Sequence, residues 1–534
     1  MAAGGPSSGS GTDNPVKIFA NIFIAFIGAG VLGLPYSFKE AGILEGAFIM
    51  AMVGIISGKA MLLLVDCKYC IIERSKRGEN LMGMREDGLY ATSPATPQER
   101  QDLLKDEEEL VTRIKNPKFV TPGDDMSYGD VGYEAMGSTG RIFVDTAVVA
   151  SQIGFCCAYL IFICKNLSDF VPSVGMVQWL LMILPPLTLL TLLRSLNSLA
   201  FTSLMAQCSN LFAFGVVFWF DFEHFHEVKG SGSLLHPREV SLENLPFFFV
   251  IAIYCYEGAG LVLSLESSLA KGIRHKFTKY FVSTLIVVTS LYITFGACGY
   301  LSFGPETDQI ITLNLPKGTG LDFSLVVKSC LCVALFCTYP VMMFPVMKIL
   351  ERYFIPDAHK SFWKGNILRG LVVLLTGMVV IVIPNFADLM ALVGATCCTF
   401  LAFVMPGLFH MKLFQGHLTR RQKCFDWTLI VLGLIGTVLG LLDAMGRISE
   451  PVISDVTYVT DVTDTPLDTL VANVTSASAV GVGLSSRLKT GPISKLKSQV
   501  PLEKSEVFNV TDSIAQVTTA RRVTNILKTP RGGG

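Results

Sequence analysis

Charged residues are scarce in this chain, and those present cancel. Asp, Glu, Lys and Arg make up 16% of the 534 residues, with 43 basic and 43 acidic side chains and a net charge of zero. A soluble domain carries roughly 25% charged residues, so this chain has too few to cover a water-exposed surface. It also lacks the basic excess of a nucleic-acid-binding protein. We therefore expect neither a soluble globular protein nor a nucleic-acid partner.

Motifs of common enzyme classes are missing as well. Neither a P-loop nor an H-E-x-x-H zinc motif occurs, and the one G-x-S-x-G string, residues 5–9, has no strand before it. The 14 cysteines lie mostly in apolar stretches. Cys67 and Cys70 form a single C-x-x-C, which we interpret as juxtamembrane thiols or an acylation site, with a redox or zinc role as the alternative. We expect no enzymatic activity, no bound cofactor and no metal site.

Long apolar runs dominate what remains, since 51% of the residues are hydrophobic. A membrane-spanning helix needs about 20 mostly apolar residues, and such runs favour helices over barrel strands. Eleven stretches qualify or nearly qualify: 18–38, 43–65, 142–164, 176–193, 199–220, 246–270, 280–302, 324–350, 366–384, 388–411 and 426–445. The sequence therefore predicts an all-α polytopic membrane protein with eleven transmembrane helices.

The short loops indicate the orientation, because Lys and Arg accumulate on the cytosolic side. Four basic residues lie in the loops on one side: Lys165, Lys229, Arg238 and Lys317. The loops on the other side, where the chain begins, hold many more: Lys17, Arg194, Lys271, Arg274, Lys276, Lys279, Lys348, Arg352, Lys360, Lys364, Arg369, Lys412, Arg420, Arg421 and Lys423. We predict a cytosolic N-terminus and, after eleven spans, a luminal or extracellular C-terminus.

Three regions follow from this arrangement. Residues 1–17 form a cytosolic tail, residues 18–446 the transmembrane domain, and residues 447–534 a luminal or extracellular tail. Residues 67–141 form a cytosolic loop within the domain, and its acidic, Ser/Thr-Pro-containing middle is predicted to be disordered. The C-terminal tail carries two sequons, at Asn473 and Asn509, which are candidate glycosylation sites on that side of the membrane.

Two spans share an unusual glycine pattern. The first contains Gly28-Ala29-Gly30 and the sixth Gly258-Ala259-Gly260, at the start of two successive sets of five helices. Glycine weakens a helix, and interrupted helices at matching positions of two halves mark the substrate site of transporters. The free N–H groups of a broken helix suit an anionic group such as a carboxylate. Close helix packing through small residues is the alternative.

Glu257 precedes the second glycine pattern and lies in the middle of a span. An ionisable residue at that depth is costly and indicates a functional site. Its carboxylate could cap free N–H groups of the broken helix, or it could carry a coupling proton, which would require a raised affinity for the proton and access from both sides.

These segments resemble the amino acid/auxin permease family, above all its plant vacuolar neutral amino acid transporters and then the animal proton-coupled amino acid transporters. The similarity extends over residues 18–446, apart from most of the cytosolic loop. The segments that carry it are 21–42 (NIFIAFIGAGVLGLPYSFKEAG), 127–141 (SYGDVGYEAMGSTGR), 151–162 (SQIGFCCAYLIF), 251–271 (IAIYCYEGAGLVLSLESSLAK), 299–316 (GYLSFGPETDQIITLNLP) and 384–409 (PNFADLMALVGATCCTFLAFVMPGLF).

The resemblance implies an inverted five-plus-five repeat of the LeuT-like kind, with spans 1 and 6 broken. It implies a secondary active transporter that moves small neutral amino acids by alternating access with proton coupling, sodium remaining open. It favours a vacuolar or lysosomal membrane over the plasma membrane. The alternative function is an amino acid sensor or receptor on the same scaffold, signalling through the cytosolic loop.

The resemblance also implies substrate-binding residues: Ile27, Gly28, Ala29, Gly30, Tyr159, Tyr254, Cys255, Tyr256, Gly258, Gly260, Thr338 and Tyr339. The backbone at residues 28–30 would meet the substrate carboxylate, and acceptors around residues 254–256 its ammonium. For Tyr159 and Tyr339, packing within the helical bundle is the alternative. Two positions depart from the family pattern. Asn21 replaces the histidine of animal proton-coupled members, so that proton route is absent, and Ser264 stands where the family usually has proline.

Overall fold

The computed structural model describes residues 12–86, 126–192, 241–315, 323–355 and 362–449, together with 209, 211, 212, 214–220 and 222. All of these lie within one compact unit that spans residues 1–451. Residues 87–125, most of the loop predicted to be cytosolic, and the sequons at Asn473 and Asn509 fall outside the described residues. The predictions made for them, and for the C-terminal tail, stay predictions.

The described residues form a helical bundle. In chain order the helices are α1 (Pro15–Phe26), α2 (Leu34–Ala41), α3 (Ile43–Glu86), α4 (Tyr128–Phe170), α5 (Met176–Thr191), α6 (Leu245–Cys255), α7 (Ala259–Ser267), α8 (Phe277–Phe303), α9 (Phe323–Phe354), α10 (Phe362–Val382), α11 (Phe386–Val393), α12 (Met405–Leu413) and α13 (Arg420–Ser449). Short 3₁₀ turns cover Ala29–Gly33, Leu242–Asn244, Lys271–Lys276, Gly304–Glu306 and Ile311–Asn314, and two π-helical turns, Gly394–Cys398 and Phe400–Val404, join α11 to α12.

The helices agree with the predicted spans wherever the structure describes the chain. Eight helical stretches are long and apolar enough to cross a membrane, and the bent pair at residues 15–41 raises this to nine. The predicted fourth span is a shorter apolar helix, Met176–Thr191. The predicted fifth span lies mostly outside the described residues, with 214–220 helical. The all-α membrane fold is thus confirmed, while the count of eleven and the inverted repeat stay predictions.

Two helices extend beyond their predicted spans. Helix α3 continues to Glu86, and α4 begins at Tyr128, where Ser127 and Asp130 form a reciprocal capping box. Such a box satisfies two otherwise free N–H groups and so fixes a helix start. Gly137, with a φ of 69°, interrupts α4, and a left-handed conformation of this kind favours glycine. The kink separates the short segment after Ser127 from the membrane-spanning part of α4.

Burial distinguishes the central helices from the peripheral ones. In the most apolar stretches of α6–α7 and of α11–α12, 72% and 78% of the residues are buried, against 33% in α13. Helix α10 also exposes large apolar side chains, among them Met378 and Val382. Apolar side chains on the outside of a membrane bundle meet lipid. The second glycine pattern therefore lies in the protein interior.

Both predicted helix breaks are present. Helix α1 ends at Phe26, and Ile27 and Gly28 are extended before the 3₁₀ turn starts at Ala29. The chain bends by 52° between α1 and the segment Ala29–Ala41. Helix α6 ends at Cys255, and α7 begins at Ala259 after a gap of three residues. Each break ends at the alanine of its Gly-Ala-Gly pattern.

A polar cluster ties together the helix ends on the side where α1 begins, which we call the N-terminal side. The Lys68 ammonium of α3 lies 2.7 Å from the Glu266 carboxylate of α7, and neither side chain has any exposed surface. Tyr69 also donates a hydrogen bond to Glu266. Thr12 pairs with the chain after α7, its N–H bonding to the Ser268 carbonyl at 2.9 Å. This cluster places the end of α7 beside the start of α1.

Candidate functional site

A cavity of about 460 Å³ lies between the two helix breaks. Helices α1, α4, α6, α7, α8 and α9 and the first 3₁₀ turn contribute its lining: Ile24, Ala25, Phe26, Ile27, Gly28, Ala29, Gly30, Val31, Gln152, Phe155, Tyr159, Tyr254, Cys255, Glu257, Gly258, Gly260, Leu261, Ser264, Tyr292, Leu335, Thr338, Val341, Met342, Phe344 and Pro345. Most of these side chains are apolar or aromatic, as in typical small-molecule sites. The polar groups among them therefore determine how a ligand is oriented.

Hydrogen-bond donors gather at the first break. The N–H groups of Gly28, Ala29 and Gly30 make no hydrogen bond to another described residue, and Gly28 provides no side-chain cap for the 3₁₀ turn that follows. The first N–H groups of a helix are left without intrahelical partners and carry the positive end of its dipole. This end of the cavity suits an anion such as a carboxylate.

The Glu257 carboxylate lies at the second break. It accepts hydrogen bonds from the backbone N–H groups of Ala259 and Gly260, which are the first two residues of α7. This is the helix-capping arrangement that the sequence left as one of two possibilities. Its Oε2 atom is buried and has no hydrogen-bond partner among the described residues. The carboxylate thus retains an acceptor site, which a proton or a ligand donor can occupy.

Glu257 carries the one formal charge among the described lining residues, since the others include no Asp, Glu, Lys, Arg or His. Burying a charge without an opposite partner is costly. The cavity is therefore prepared for one positive charge, brought either by a proton or by a ligand.

Tyr292 of α8 links the two breaks. Its hydroxyl lies within hydrogen-bond distance of the carbonyl of Phe26, the last residue of α1, and 3.2 Å from that of Cys255, the last residue of α6. The last carbonyls of a helix lack intrahelical partners, and a buried one needs another donor. A single side chain thus serves both helix ends. The sequence analysis did not identify it, because a tyrosine in an apolar span carries no local signal of this role.

The cavity lining includes most of the predicted site residues. These are Ile27, Gly28, Ala29, Gly30, Tyr159, Tyr254, Cys255, Gly258, Gly260 and Thr338, together with Glu257. Tyr256 and Tyr339 are not in the lining, and a contact of these two residues with a substrate stays a prediction. Both are buried, and their hydroxyls are engaged elsewhere, with Thr289 at 2.8 Å and Thr376 at 2.7 Å respectively. These two tyrosines pack between helices and do not face the cavity.

The glycines of the two patterns differ in what surrounds them. A Cβ at Gly30 would lie 3.0 Å from the Tyr254 ring, and one at Gly258 equally close to an aromatic ring of α1. At Gly28 and Gly260 a Cβ would meet nothing within 4 Å. Close packing through small residues therefore explains the glycines at positions 30 and 258. Gly28 and Gly260 leave open space beside the breaks.

Some lining residues were missing from the predicted site. Gln152, Phe155 and Tyr159 follow one another at helical spacing on α4, so the resemblance that named Tyr159 also pointed to this face. Ser264 was noted as a departure from the family without a role, and the structure places it in the lining. A polar residue such as Gln152 within an apolar span was the signal that could have identified it.

The remaining candidate site is the C-x-x-C pair of α3. Cys67 is buried in α3, Cys70 is half-buried, and both thiols are free. Within the described ranges, no three His, Cys, Asp or Glu side chains are placed to hold a metal ion.

Comparison with known proteins gives one family match and many relatives. The family model described as "Transmembrane amino acid transporter protein" matches residues 11–85 and 111–445. The chain is similar to Amino acid transporter AVT3B of Arabidopsis thaliana, with 33% identity over 81% of this chain and 94% of the relative. It is also similar to Vacuolar amino acid transporter 4 of Saccharomyces cerevisiae, with 23% identity over 80% of this chain and 57% of the relative.

One solved structure that resembles the chain is that of MhsT in complex with L-phenylalanine. The TM-score is 0.46 at 12% sequence identity, over 82% of this chain and 99% of that one.

Proposed function

The chain belongs to the transmembrane amino acid transporter protein family, and from that premise we propose that it moves small neutral amino acids across a membrane by alternating access around the cavity between the two helix breaks. Family membership makes it an integral membrane transporter and not an enzyme. The substrate class, the driving ion and the membrane form the proposal.

The pairing of donors and acceptors across the cavity supports an amino acid substrate. The free N–H groups of Gly28, Ala29 and Gly30 provide donors at one break, and Glu257 provides an unpaired acceptor at the other. A zwitterion carries a carboxylate and an ammonium close together, so it complements both ends. This arrangement is the observation on which the proposal rests.

The lining charges disfavour an acidic side chain. An acidic side chain would add a second negative charge to a cavity whose described lining has no cationic residue, and like charges in a low-dielectric site repel strongly. A zwitterion contributes no net charge. With a proton on Glu257, the loaded cavity is neutral overall.

The buried charge of Glu257 also supports proton coupling through this residue. Asn21 cannot titrate, so the first span offers no histidine for the purpose. Glu257 is an acid in the lining of the cavity itself, with one carboxylate oxygen unpaired. A proton that binds with the substrate would remove the buried charge before the cavity changes its access.

A reconstituted system tests the function and its coupling together. Proteoliposomes are loaded with buffer, and uptake of labelled alanine is measured with an imposed pH gradient, an imposed sodium gradient and neither. We expect the pH gradient to drive uptake. Glu257→Gln should abolish gradient-driven uptake while exchange of internal for external alanine continues. The exposed Glu306 is the matched control, and Glu306→Gln should behave as wild type.

Three other outcomes would overturn parts of the proposal. Loss of exchange as well as driven uptake in Glu257→Gln indicates that the carboxylate serves the helix break alone. Uptake driven by sodium contradicts proton coupling. Alanine binding without any flux would refute transport and leave the sensor function in its place.

We propose a vacuolar or lysosomal membrane as the location, because a yeast relative is named a vacuolar transporter. A fluorescent fusion of the full chain should co-localise with a vacuolar membrane marker, and plasma-membrane fluorescence would contradict this.

A further inference from the structure

Part of the cavity extends away from the breaks towards the N-terminal side. Ile24 and Ala25 precede the first break, and Leu261 and Ser264 follow the second, so these residues lie on the same side of both. Gln152 of α4 lines the cavity there too, two helical turns before Tyr159. This part of the cavity contains neither the free N–H groups nor the Glu257 carboxylate.

The two polar side chains in this part, Gln152 and Ser264, both lack partners. Gln152 Oε1 is buried without a hydrogen-bond partner, which is rare for a buried polar atom and calls for an explanation. Ser264 makes no side-chain hydrogen bond to any residue in the described part of the chain. Its neighbour Ser267 bonds to the carbonyl four residues earlier at 2.8 Å, the usual solution for serine within a helix.

The surroundings of Gln152 and Ser264 limit which substrate groups can bond to them. Phe155 and Phe344 line the cavity as half-buried apolar side chains, and Leu261 and Ser264 are exposed. The Gln152 oxygen is buried, and a hydrogen bond to a buried group is stronger than one in water. Neither Gln152 nor Ser264 carries a charge. Their complement is therefore an uncharged group that can both donate and accept a hydrogen bond.

We propose that Gln152 and Ser264 form a polar side-chain subsite, which selects amino acids with a hydroxyl or carboxamide side chain over aliphatic ones of the same size. The inference rests on the proposed function: the breaks hold the substrate's carboxylate and ammonium, and its side chain points towards the N-terminal side. A carboxamide turns about its last bond, so Gln152 can present either its oxygen or its nitrogen to the substrate.

Competition between isosteric amino acids tests the subsite. Threonine and valine differ by a hydroxyl in place of a methyl group, and asparagine and leucine have side chains of similar shape. Each competes with labelled alanine for uptake into proteoliposomes containing the full chain. Wild type should prefer threonine to valine by roughly tenfold, the factor that one buried hydrogen bond supplies. Asparagine should exceed leucine similarly.

The variants Gln152→Leu and Ser264→Ala, singly and together, should reduce both preferences, and the double variant should bring each ratio to about one. Alanine has no group for this subsite, so the ratio of the two inhibition constants measured against labelled alanine is the readout. Thr294→Val is the matched control, because the Thr294 hydroxyl lies outside the cavity lining and is already bonded to the Ser290 carbonyl at 2.7 Å. The control should keep the wild-type ratios.

Equal inhibition by threonine and valine in the wild type, or unchanged ratios in the double variant, would refute the subsite. These results differ from a failure of the proposed function, in which the wild type neither transports nor binds any amino acid. If the variants do not accumulate in the membrane, the wild-type ratios still decide the question.

Discussion

Tyr292→Phe removes a single hydroxyl that serves the ends of both half-helices. The hydroxyl has one hydrogen, which either the Phe26 or the Cys255 carbonyl accepts. Losing such a bond costs about 0.5–1.5 kcal/mol, and a buried acceptor left without a partner costs about 1–3 kcal/mol. Because the ring remains, no cavity forms. We therefore expect a loss of about 1–3 kcal/mol in the stability of the state with both breaks in place.

The loss should be visible in thermal unfolding of the purified protein in detergent. With an unfolding entropy of about 2.1 cal/mol/K per residue, a transmembrane domain of roughly 430 residues loses about 1 °C in Tm per kcal/mol. Tyr292→Phe should thus lower the Tm by about 1–3 °C. Alanine uptake should fall by a larger factor than the loss of stability alone would cause, since the hydroxyl positions the residues that line the site.

Tyr256→Phe is the matched control for this prediction. The two rings are neighbours, with centroids 5.3 Å apart, but the Tyr256 hydroxyl bonds to Thr289 and not to a helix-end carbonyl. Its loss should leave uptake unchanged and lower the Tm by less than about 1 °C. If both variants behave alike, or if Tyr292→Phe transports normally, Tyr292 does not hold the breaks together.

Two further predictions concern the glycines and the buried ion pair. Gly30→Ala should lower the Tm, because its Cβ would lie 3.0 Å from the Tyr254 ring, whereas Gly260→Ala places a methyl group in open space and should leave the Tm unchanged while reducing uptake of larger amino acids relative to alanine. Similar Tm values for the two variants would contradict this. Lys68→Met removes the ammonium 2.7 Å from the unexposed Glu266 but leaves the Tyr69 hydroxyl and the Arg274 guanidinium beside that carboxylate. It should therefore lower the unfolding free energy by less than the roughly 3–5 kcal/mol that a wholly unpaired buried charge costs. The double variant Lys68→Met, Glu266→Leu should recover most of that loss, and additive losses would show that the pair is not coupled.

Local sequence information was sufficient for the membrane fold. A helix in lipid must satisfy its backbone groups within itself, so the length and hydropathy of each stretch predict it without knowledge of its neighbours. The helix breaks could also be predicted from local residues, because Gly28 and Gly258 weaken the helices in which they lie. The predicted fifth span, 199–220, shows the same apolar signal, and its described residues 214–220 are helical.

Which side chains face the cavity could not be predicted from the local sequence. In a soluble helix, the alternation of polar and apolar residues shows which face is buried. A membrane helix is apolar towards both lipid and protein, so the sequence alone did not show that Tyr256 and Tyr339 face other helices. The resemblance named them as site residues, and the structure shows their hydroxyls bonded to Thr289 and Thr376.

Local sequence patterns therefore predicted a helical membrane protein with two interrupted spans and an acid, Glu257, at the second interruption. The contacts between helices were needed to show that Tyr292 joins the two interruptions and that Gln152 and Ser264 line the same cavity. The difference lies in distance along the chain. Backbone breaks arise from neighbouring residues, whereas a cavity arises where helices far apart in sequence leave space between them.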